Sequence, residues 1–162
     1  MTATDQQRDA QHRAVRWAHA LQQQIDRLHT DRAAALAGQE KVRAAAYYGH
    51  EDAWPFHMME ADKHFAIVAA RQLLRALDAF DGEDRLPAAM SQHDVRLVRD
   101  ALEHWDEPTG KANTKMRARG ADPGSHSWTV GGPGVLGDII DDTALRAWAV
   151  VVYDELVTWD PW

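Results

Sequence analysis

The segment SQHDVRLVRDALEHWDE, residues 91–107, decides the fold class because its apolar residues recur at helical spacing. The apolar positions of this stripe are Val95, Val98, Leu102 and Trp105. The other side of the predicted helix is polar and carries Arg99, Asp100 and His104 near its end, before Pro108 and the Thr-Gly that follows it stop the helix. The segment is therefore predicted to be a packed helix that carries a polar site.

The segment upstream of this helix has the same periodicity. Residues 55–80 predict a helix whose apolar stripe consists of Met59, Ala66, Ala70, Leu73, Leu77 and Phe80. Its polar stripe consists of His57, Glu60, His64, Arg71 and Arg75. Gly82 ends this helix, and Ser91 with Asp94 three positions on predicts a start like a capping box for the next one. We therefore expect the two helices to be antiparallel neighbours.

The first part of the chain is also predicted to be helical. Residues 4–46 are rich in Ala, Gln, Arg and Leu and contain one Gly and no Pro. Alternating four- and three-residue steps define a seam at Ala14, Ala18, Leu21, Ile25 and Leu28. Thr30 or Gly38 marks a possible break into two helices, and the sequence leaves a kink and a turn open.

Residues 107–141 predict a long insertion, because they contain seven of the ten glycines and three of the six prolines. Within it, SWTV and VLGDII on either side of GGPG either form a small hairpin or stay irregular. The final helix is expected to begin near Asp142 or Thr143. Its core stripe is Leu145, Trp148, Val152, Leu156 and Trp159, and its second apolar strip is Val150, Tyr153 and Val157. A helix that is apolar on two sides needs a further partner, and the simplest one is another copy of the chain.

These patterns predict an all-α bundle of four or five helices, with the Gly-rich insertion before the C-terminal helix, as one domain over residues 1–162. The chain has no cysteine, which excludes disulfides and thiolate catalysis and fits a reducing cytoplasm. A polar N-terminus argues against a signal peptide, and no apolar run has membrane-spanning length, so we expect a cytoplasmic protein without a membrane partner. The net charge of -7 means that nucleic-acid binding would need a local basic patch.

The polar site contains an arginine followed by a polar residue and, after three more residues, a histidine, from Arg99 to His104. With this motif the chain resembles the HEPN superfamily, and the preceding segment HFAIVAARQLLRALDAF is similar to the helix that precedes the motif in that family. The resemblance covers roughly residues 55–106. It implies a dimeric helical bundle with the motif at a cleft between protomers, and a metal-independent ribonuclease that acts as a toxin or defence effector. An antitoxin or another protein partner would accompany such a toxin.

By position, the resemblance implies that Arg99 contacts the scissile phosphate, that Asp100 takes the polar place and that His104 is the acid–base residue. Many toxin members have Asn at the polar place, so Asp100 departs from their pattern. The chemistry of the residues agrees, because a histidine can accept the proton of a 2′-hydroxyl near neutral pH and an arginine can stabilise the anionic phosphorane. Since Asp100 lies one helical turn from His104, we expect its carboxylate to orient the imidazole.

A basic segment follows the motif helix directly. Lys111, Lys115, Arg117 and Arg119 lie between Pro108 and Ala121, where the chain has no acidic residue. We predict a flexible basic loop that binds RNA phosphates, and we assign His64 to the same substrate. A solvated loop has the same composition. The corresponding alternative for the motif is a surface pair of Arg99 with Glu103 beside a solvated His104.

Two other classes of function stay open. A non-catalytic helical module would bind a protein through the C-terminal helix and exposed tryptophans, and the low pI and Asp100 favour it. A bundle could also bind a metal through His57, Glu60 and His64, which share one helical stripe. The sequence has no matching Glu-x-x-His pair, so we predict neither a metal nor a cofactor.

Overall fold

The computed structural model describes residues 3–38, 54–80, 86–88, 90–104, 107, 109–121 and 134–159. In these ranges the chain forms an all-α bundle with one small hairpin, as the sequence predicts. The helices are α1 Ala3–Ala37, α2 Trp54–Asp78, α3 Gln92–Glu103, α4 Lys111–Ala118 and α5 Asp142–Thr158, and the strands are β1 Val135–Leu136 and β2 Ile140–Asp141. None of the helices in the described ranges has both the length and the apolar character needed to cross a membrane.

Helix α1 is the scaffold of the bundle, since α2 and α5 both pack against it. The seam predicted from its sequence is buried at every position, namely Ala14, Ala18, Leu21, Ile25 and Leu28. Of the two expected break points, Thr30 lies inside the helix, where its hydroxyl donates to the Asp26 carbonyl oxygen at 2.9 Å. Gly38 follows the last helical residue, and residues 39–46 of the expected helix lie outside the described ranges.

Helix α2 runs antiparallel to α1. Ala10 near the start of α1 and Ala76 near the end of α2 line one groove, whereas Leu28 and Met59 meet at the other end of the pair. The predicted apolar stripe of α2 is buried throughout, at Met59, Ala66, Ala70, Leu73, Leu77 and Phe80. The helical periodicity alone therefore identifies the face of α2 that forms the core.

Helix α5 also runs antiparallel to α1, and polar contacts fix both ends of this pair. Near the start of α1, the Gln11 side-chain amide donates to the Leu156 carbonyl oxygen at 2.7 Å and to the Trp159 carbonyl oxygen at 2.9 Å. Toward the other end, Arg146 binds the Asp26 carboxylate through two hydrogen bonds of 2.6 and 3.0 Å. These contacts set the register in which the apolar stripe of α5 enters the core.

The C-terminal helix begins where the sequence predicts, at Asp142, with the Asp141 side chain accepting from the Ala144 backbone N–H at 2.8 Å. Its stripe is buried at Leu145, Trp148, Val152 and Leu156, while Trp159 is half-buried against Phe80. The second strip is only partly covered by the chain itself. Val150 and Tyr153 are half-buried, and Val157 is exposed.

The hairpin lies within VLGDIID, because Val135 pairs with Asp141 and Leu136 with Ile140. The sequence left open whether VLGDII pairs with SWTV across GGPG or stays irregular; these strands pair within VLGDIID instead, and SWTV lies outside the described ranges. The turn uses Gly137 with φ +56, and a Cβ built there would lie 2.9 Å from Val98 Cγ1 of α3. Position 137 therefore requires glycine, both for its positive φ and for the close approach of Val98. The same contact shows that the hairpin turn packs directly on α3.

A buried carboxyl lies between α1 and α2. The side chain of Asp62 is fully buried, with Oδ1 3.2 Å from Arg27 Nη2 of α1. Burial raises the pKa of the Asp62 carboxyl above its ordinary value, Arg27 opposes this shift, and Asp31 adds to it. Because the pKa of the Asp62 carboxyl is higher in the folded state than in the unfolded state, its protonated form stabilises the fold. This contribution is complete at pH values below the pKa that Asp62 has in the unfolded state, and it is lost as the pH rises through the pKa that Asp62 has in the folded state.

We therefore expect Asp62→Asn to increase the free energy of unfolding at neutral pH, because the neutral amide avoids the cost of burying a charge. The gain should shrink as the pH falls and Asp62 becomes protonated in the wild type. Asp26→Asn is the matched control with the opposite sign, since hydrogen bonds from Arg146 hold the pKa of Asp26 below its ordinary value. It should lose stability at neutral pH. Urea unfolding between pH 4 and 8 measures both, and a loss for both variants would contradict the assignment of Asp62.

Candidate functional site

The motif lies at the C-terminal end of α3. The helix begins as predicted, with the Ser91 hydroxyl accepting from the Asp94 backbone N–H at 3.2 Å. Its buried face contains Val95 and Val98 as expected, together with Leu97 and Ala101. Leu102 is half-buried, and Trp105 lies outside the described ranges. The apolar face thus fixes α3 in the bundle and directs its last turn toward the polar site.

The helix ends at Glu103, earlier than the sequence indicates, and His104 is its C-cap. The reason is a tertiary contact with α4. The buried side chain of Asn113 donates through Nδ2 to the carbonyl oxygens of His104 and Glu107, at 2.9 and 2.8 Å. These two hydrogen bonds satisfy the carbonyl oxygens of His104 and Glu107 without further helical hydrogen bonds, so α3 can end at Glu103.

The basic segment is a helix, so the prediction of a flexible basic loop is wrong. Helix α4 forms because Asn113 and Met116, three residues apart, both face the interior, and Gly110 is its N-cap. All four basic side chains are exposed, namely Lys111, Lys115, Arg117 and Arg119. Arg119 binds the Asp94 carboxylate, and its hydrogen bond lowers the pKa of that group.

Carboxylates on α3 hold the motif arginine. Arg99 Nη2 lies 2.5 Å from Asp100 Oδ1, and its Nε lies 3.3 Å from Glu103 Oε2. The other oxygen of Asp100 lies 3.7 Å from Arg96 Nε. Arg99 is about one-third exposed, at 32%. The surface pair of Arg99 with Glu103, stated above as the alternative to a catalytic arginine, is therefore present, and the guanidinium has two anionic neighbours.

The motif histidine has a different carboxylate partner from the expected one. His104 Nδ1 lies 3.3 Å from Glu107 Oε1, and the two side chains are 55% and 59% exposed. Asp100, which we expected to orient the imidazole, pairs with arginines instead. Sequence reasoning missed Glu107 because it treated this residue as part of the helix, whereas the chain turns after His104 and brings the two side chains together.

An open cleft of about 470 Å³ lies beside His104. Asp100, Glu107, Lys111 and Asn113 also line it, so the end of α3, the turn and the start of α4 meet there. Of the residues assigned to the site from the sequence, Asp100, His104 and Lys111 are brought together. Arg99, His64, Lys115, Arg117 and Arg119 are not among the lining residues. His64 instead has its ring edge-on to Phe65, with the centroids 6.1 Å apart.

The metal alternative depends on side chains that are only partly described. The side chains of His57 and Glu60 lie outside the description, while His64 on the same helix is half-buried. Among the side chains that are described, no group of three His, Asp or Glu residues is arranged to hold a metal ion. The side chains described on this stripe therefore do not form a metal site.

A second cluster of ionisable side chains joins α1 to the start of α5, and sequence reasoning missed it. The Asp142 carboxylate is fully buried, lies 3.1 Å from His29 Nε2 and binds Arg32. Its backbone N–H donates to the Gly134 carbonyl oxygen at 2.9 Å. A Cβ at Gly134 would overlap both Asp142 and Arg32. The partners are more than 100 positions apart in the chain, so no local pattern could have revealed them.

No protein-family model matches this chain, and neither a curated protein nor a solved structure matches it. The resemblance to the HEPN superfamily therefore depends on the Arg-polar-x-x-x-His motif and the helix before it. It stays a prediction. The geometry around His104 provides the physical basis for a functional proposal.

Proposed function

We propose that this chain is a HEPN-like, metal-independent ribonuclease that acts as a toxin or defence effector, with His104 as its acid–base residue. The observation that supports the proposal is the exposed imidazole of His104 at an open cleft that Lys111 also lines. A histidine titrating near neutral pH suits proton transfer, and a lysine beside it attracts a phosphate. RNA is the substrate that offers both a phosphodiester and a neighbouring hydroxyl nucleophile.

In the proposed reaction, His104 accepts the proton of the 2′-hydroxyl, and the 2′-oxygen forms a bond to phosphorus. The bond between phosphorus and the 5′-oxygen breaks, and its electron pair stays on the 5′-oxygen. Solvent protonates this oxygen, and the imidazolium returns its proton to solvent. The products are a 2′,3′-cyclic phosphate and a 5′-hydroxyl end, and the step needs a positive charge near the phosphate more than it needs a metal.

The exposed basic residues of α4 support RNA as the ligand. The chain carries a net charge of -7, which works against indiscriminate binding of polyanions. Lys111 lines the cleft, and the exposed Lys115 lies one helical turn further along α4, so the helix holds two positive charges at fixed spacing. Binding through such a patch depends on the salt concentration, because each neutralised phosphate releases counterions.

A homodimer and a protein partner such as an antitoxin belong to the same proposal. Helix α5 exposes Val151 and Val157, and α2 exposes Phe65. Val157 belongs to the second apolar strip of α5, which the sequence assigns to a contact with another copy, and its exposure supports that assignment. A two-fold contact would bring two copies of the cleft into one assembly.

A non-catalytic interaction module is the second candidate, and one observation favours it. Arg99 is paired with Asp100 and Glu103, so the two carboxylates offset the positive charge that Arg99 would present to a substrate. The exposed apolar residues of α5 would then be the functional surface, and the motif would be a set of surface ion pairs.

Cleavage of RNA by the purified protein tests the proposal. With EDTA present, we expect single-stranded RNA to be cut, with cyclic or 3′-phosphate ends identified by mass spectrometry. A DNA of the same sequence is the matched control and should stay intact, because it lacks the 2′-hydroxyl nucleophile. If structured and single-stranded RNAs remain intact with and without added metal ions, the ribonuclease proposal fails and the interaction module becomes the better one.

A further inference from the structure

We infer that His104 works with Glu107 as its positioning residue and with Lys111 as the residue that binds the scissile phosphate. This inference rests on the proposed ribonuclease function and assigns two of its roles to different residues. The resemblance implies Asp100 and Arg99 for these two tasks. The juxtaposition of His104, Glu107 and Lys111 in one cleft, with Arg99 held by two carboxylates on α3, assigns them differently.

The contact between His104 and Glu107 determines which ring nitrogen is available. Because Nδ1 faces the carboxylate oxygen at 3.3 Å, it carries the proton of the neutral ring, and Nε2 is left to accept the proton of the 2′-hydroxyl. The charge on Glu107 then stabilises the imidazolium that forms. The Asp100 carboxylate is not the partner of His104, since its two oxygens lie beside Arg99 and Arg96.

Hydrogen bonds hold the backbones of His104 and Glu107 themselves, which keeps their side chains in reach of each other. The Glu107 N–H donates to the His104 carbonyl oxygen at 3.0 Å, and the Gly110 N–H donates to the Glu107 carbonyl oxygen at 2.8 Å. Asn113, which is 2% exposed, donates to the same two carbonyl oxygens. Because the carbonyl oxygens of His104 and Glu107 both bind the buried Asn113, the exposed pair is held at a fixed place on the bundle.

Lys111 is the cation that shares the cleft with this pair. It is the first residue of α4 and follows the anchored turn directly. Lys115 lies one helical turn further on and does not line the cleft. A lysine can bind a phosphate as a point charge, and Lys111 has no carboxylate partner among the described residues. Arg99 has two such partners, so its charge is already compensated.

The tautomer of the neutral His104 ring, read from its ¹⁵N chemical shifts by NMR, tests the first half of the inference. We expect Glu107→Ala to lower the fraction of the Nδ1–H tautomer, because the carboxylate that accepts from Nδ1 is lost. Asp100→Ala is the matched control, since it removes the carboxylate that the sequence favours, and it should change this fraction less. This readout does not require activity. An equal or larger change in Asp100→Ala would overturn the role of Glu107, even if the protein cleaves RNA.

Cleavage kinetics test the second half. With active wild-type protein, Glu107→Gln should lower kcat by about tenfold, because the imidazolium loses the carboxylate that stabilises it. Lys111→Gln should lower kcat by at least about tenfold, because the charge it loses stabilises the transition state. Lys115→Gln should raise KM without this loss of kcat, as expected for a residue that only attracts RNA. If Lys111→Gln and Lys115→Gln have the same effect, Lys111 is not the phosphate ligand. If wild-type protein is inactive, the ribonuclease proposal fails while the tautomer measurement still decides whether Glu107 positions His104.

Discussion

RNA cleavage should fall by at least about 100-fold in His104→Ala, the range over which a positioned general acid–base residue contributes. Any growth arrest caused by expression should disappear with it. The fold should be unaffected, because the side chain is 55% exposed and its loss leaves the capping N–H in place. We expect the free energy of unfolding to change by no more than about 0.5 kcal/mol, as is usual for a surface position. Cleavage assays with EDTA and urea unfolding measure the two effects.

His93→Ala is the matched control, since this exposed histidine lies at the start of the same helix and away from the cleft. It should retain wild-type cleavage. Retention of activity in His104→Ala would remove His104 from the mechanism. Arg99→Ala distinguishes between two phosphate ligands, Arg99 as the family resemblance implies and Lys111 as the geometry assigns. A loss as large as that of His104→Ala would mean that Arg99 leaves Asp100 and Glu103 to bind the phosphate, and Lys111 would then be secondary.

Asp142→Ala should strongly destabilise the protein. Removing one partner of a buried ion pair costs about 3–5 kcal/mol, because the other charge is left without compensation. Arg32, whose side chain is only 17% exposed, would lose its carboxylate, and His29 would lose its hydrogen-bond partner. We expect a cooperative unfolding transition at a much lower urea concentration, with unchanged dependence on denaturant.

The neighbouring Asp141 provides the control for this prediction. Its side chain caps α5 by accepting from the Ala144 N–H at 2.8 Å, and its removal should cost only about 1 kcal/mol. If the two substitutions destabilise the protein equally, the buried cluster contributes no more than an ordinary helix cap. Circular dichroism at several urea concentrations distinguishes the outcomes.

The part of the fold that could be predicted from the sequence is the part built on apolar periodicity. Every seam position of α1 from Ala14 to Leu28 is buried, and so is the whole stripe of α2, because those faces repeat over several turns. Helix α4 lacks such a stripe. Only Asn113 and Met116 are buried in it, so its exposed lysines and arginines made it resemble a loop.

Sequence patterns indicated residues of the candidate site but not their pairings. The motif and the basic segment after it singled out Asp100, His104 and Lys111, and these three residues line one cleft. The partner of His104 was not predictable, because the end of α3 is set by Asn113 in another helix. The cluster around Asp142 depends on contacts across more than 100 residues, which no local pattern contains.

The contact of Gln11 with the last turn of α5 has a consequence for the order of folding. It joins positions separated by 145 residues, whereas α1 and α2 are neighbours in sequence. Closing a long loop costs more chain entropy than closing a short one, so the α1–α2 pair can form before α5 arrives. During synthesis, α1 would therefore expose the apolar surface that α5 later covers. Until α5 has left the ribosome, a chaperone or a second nascent chain can bind this surface.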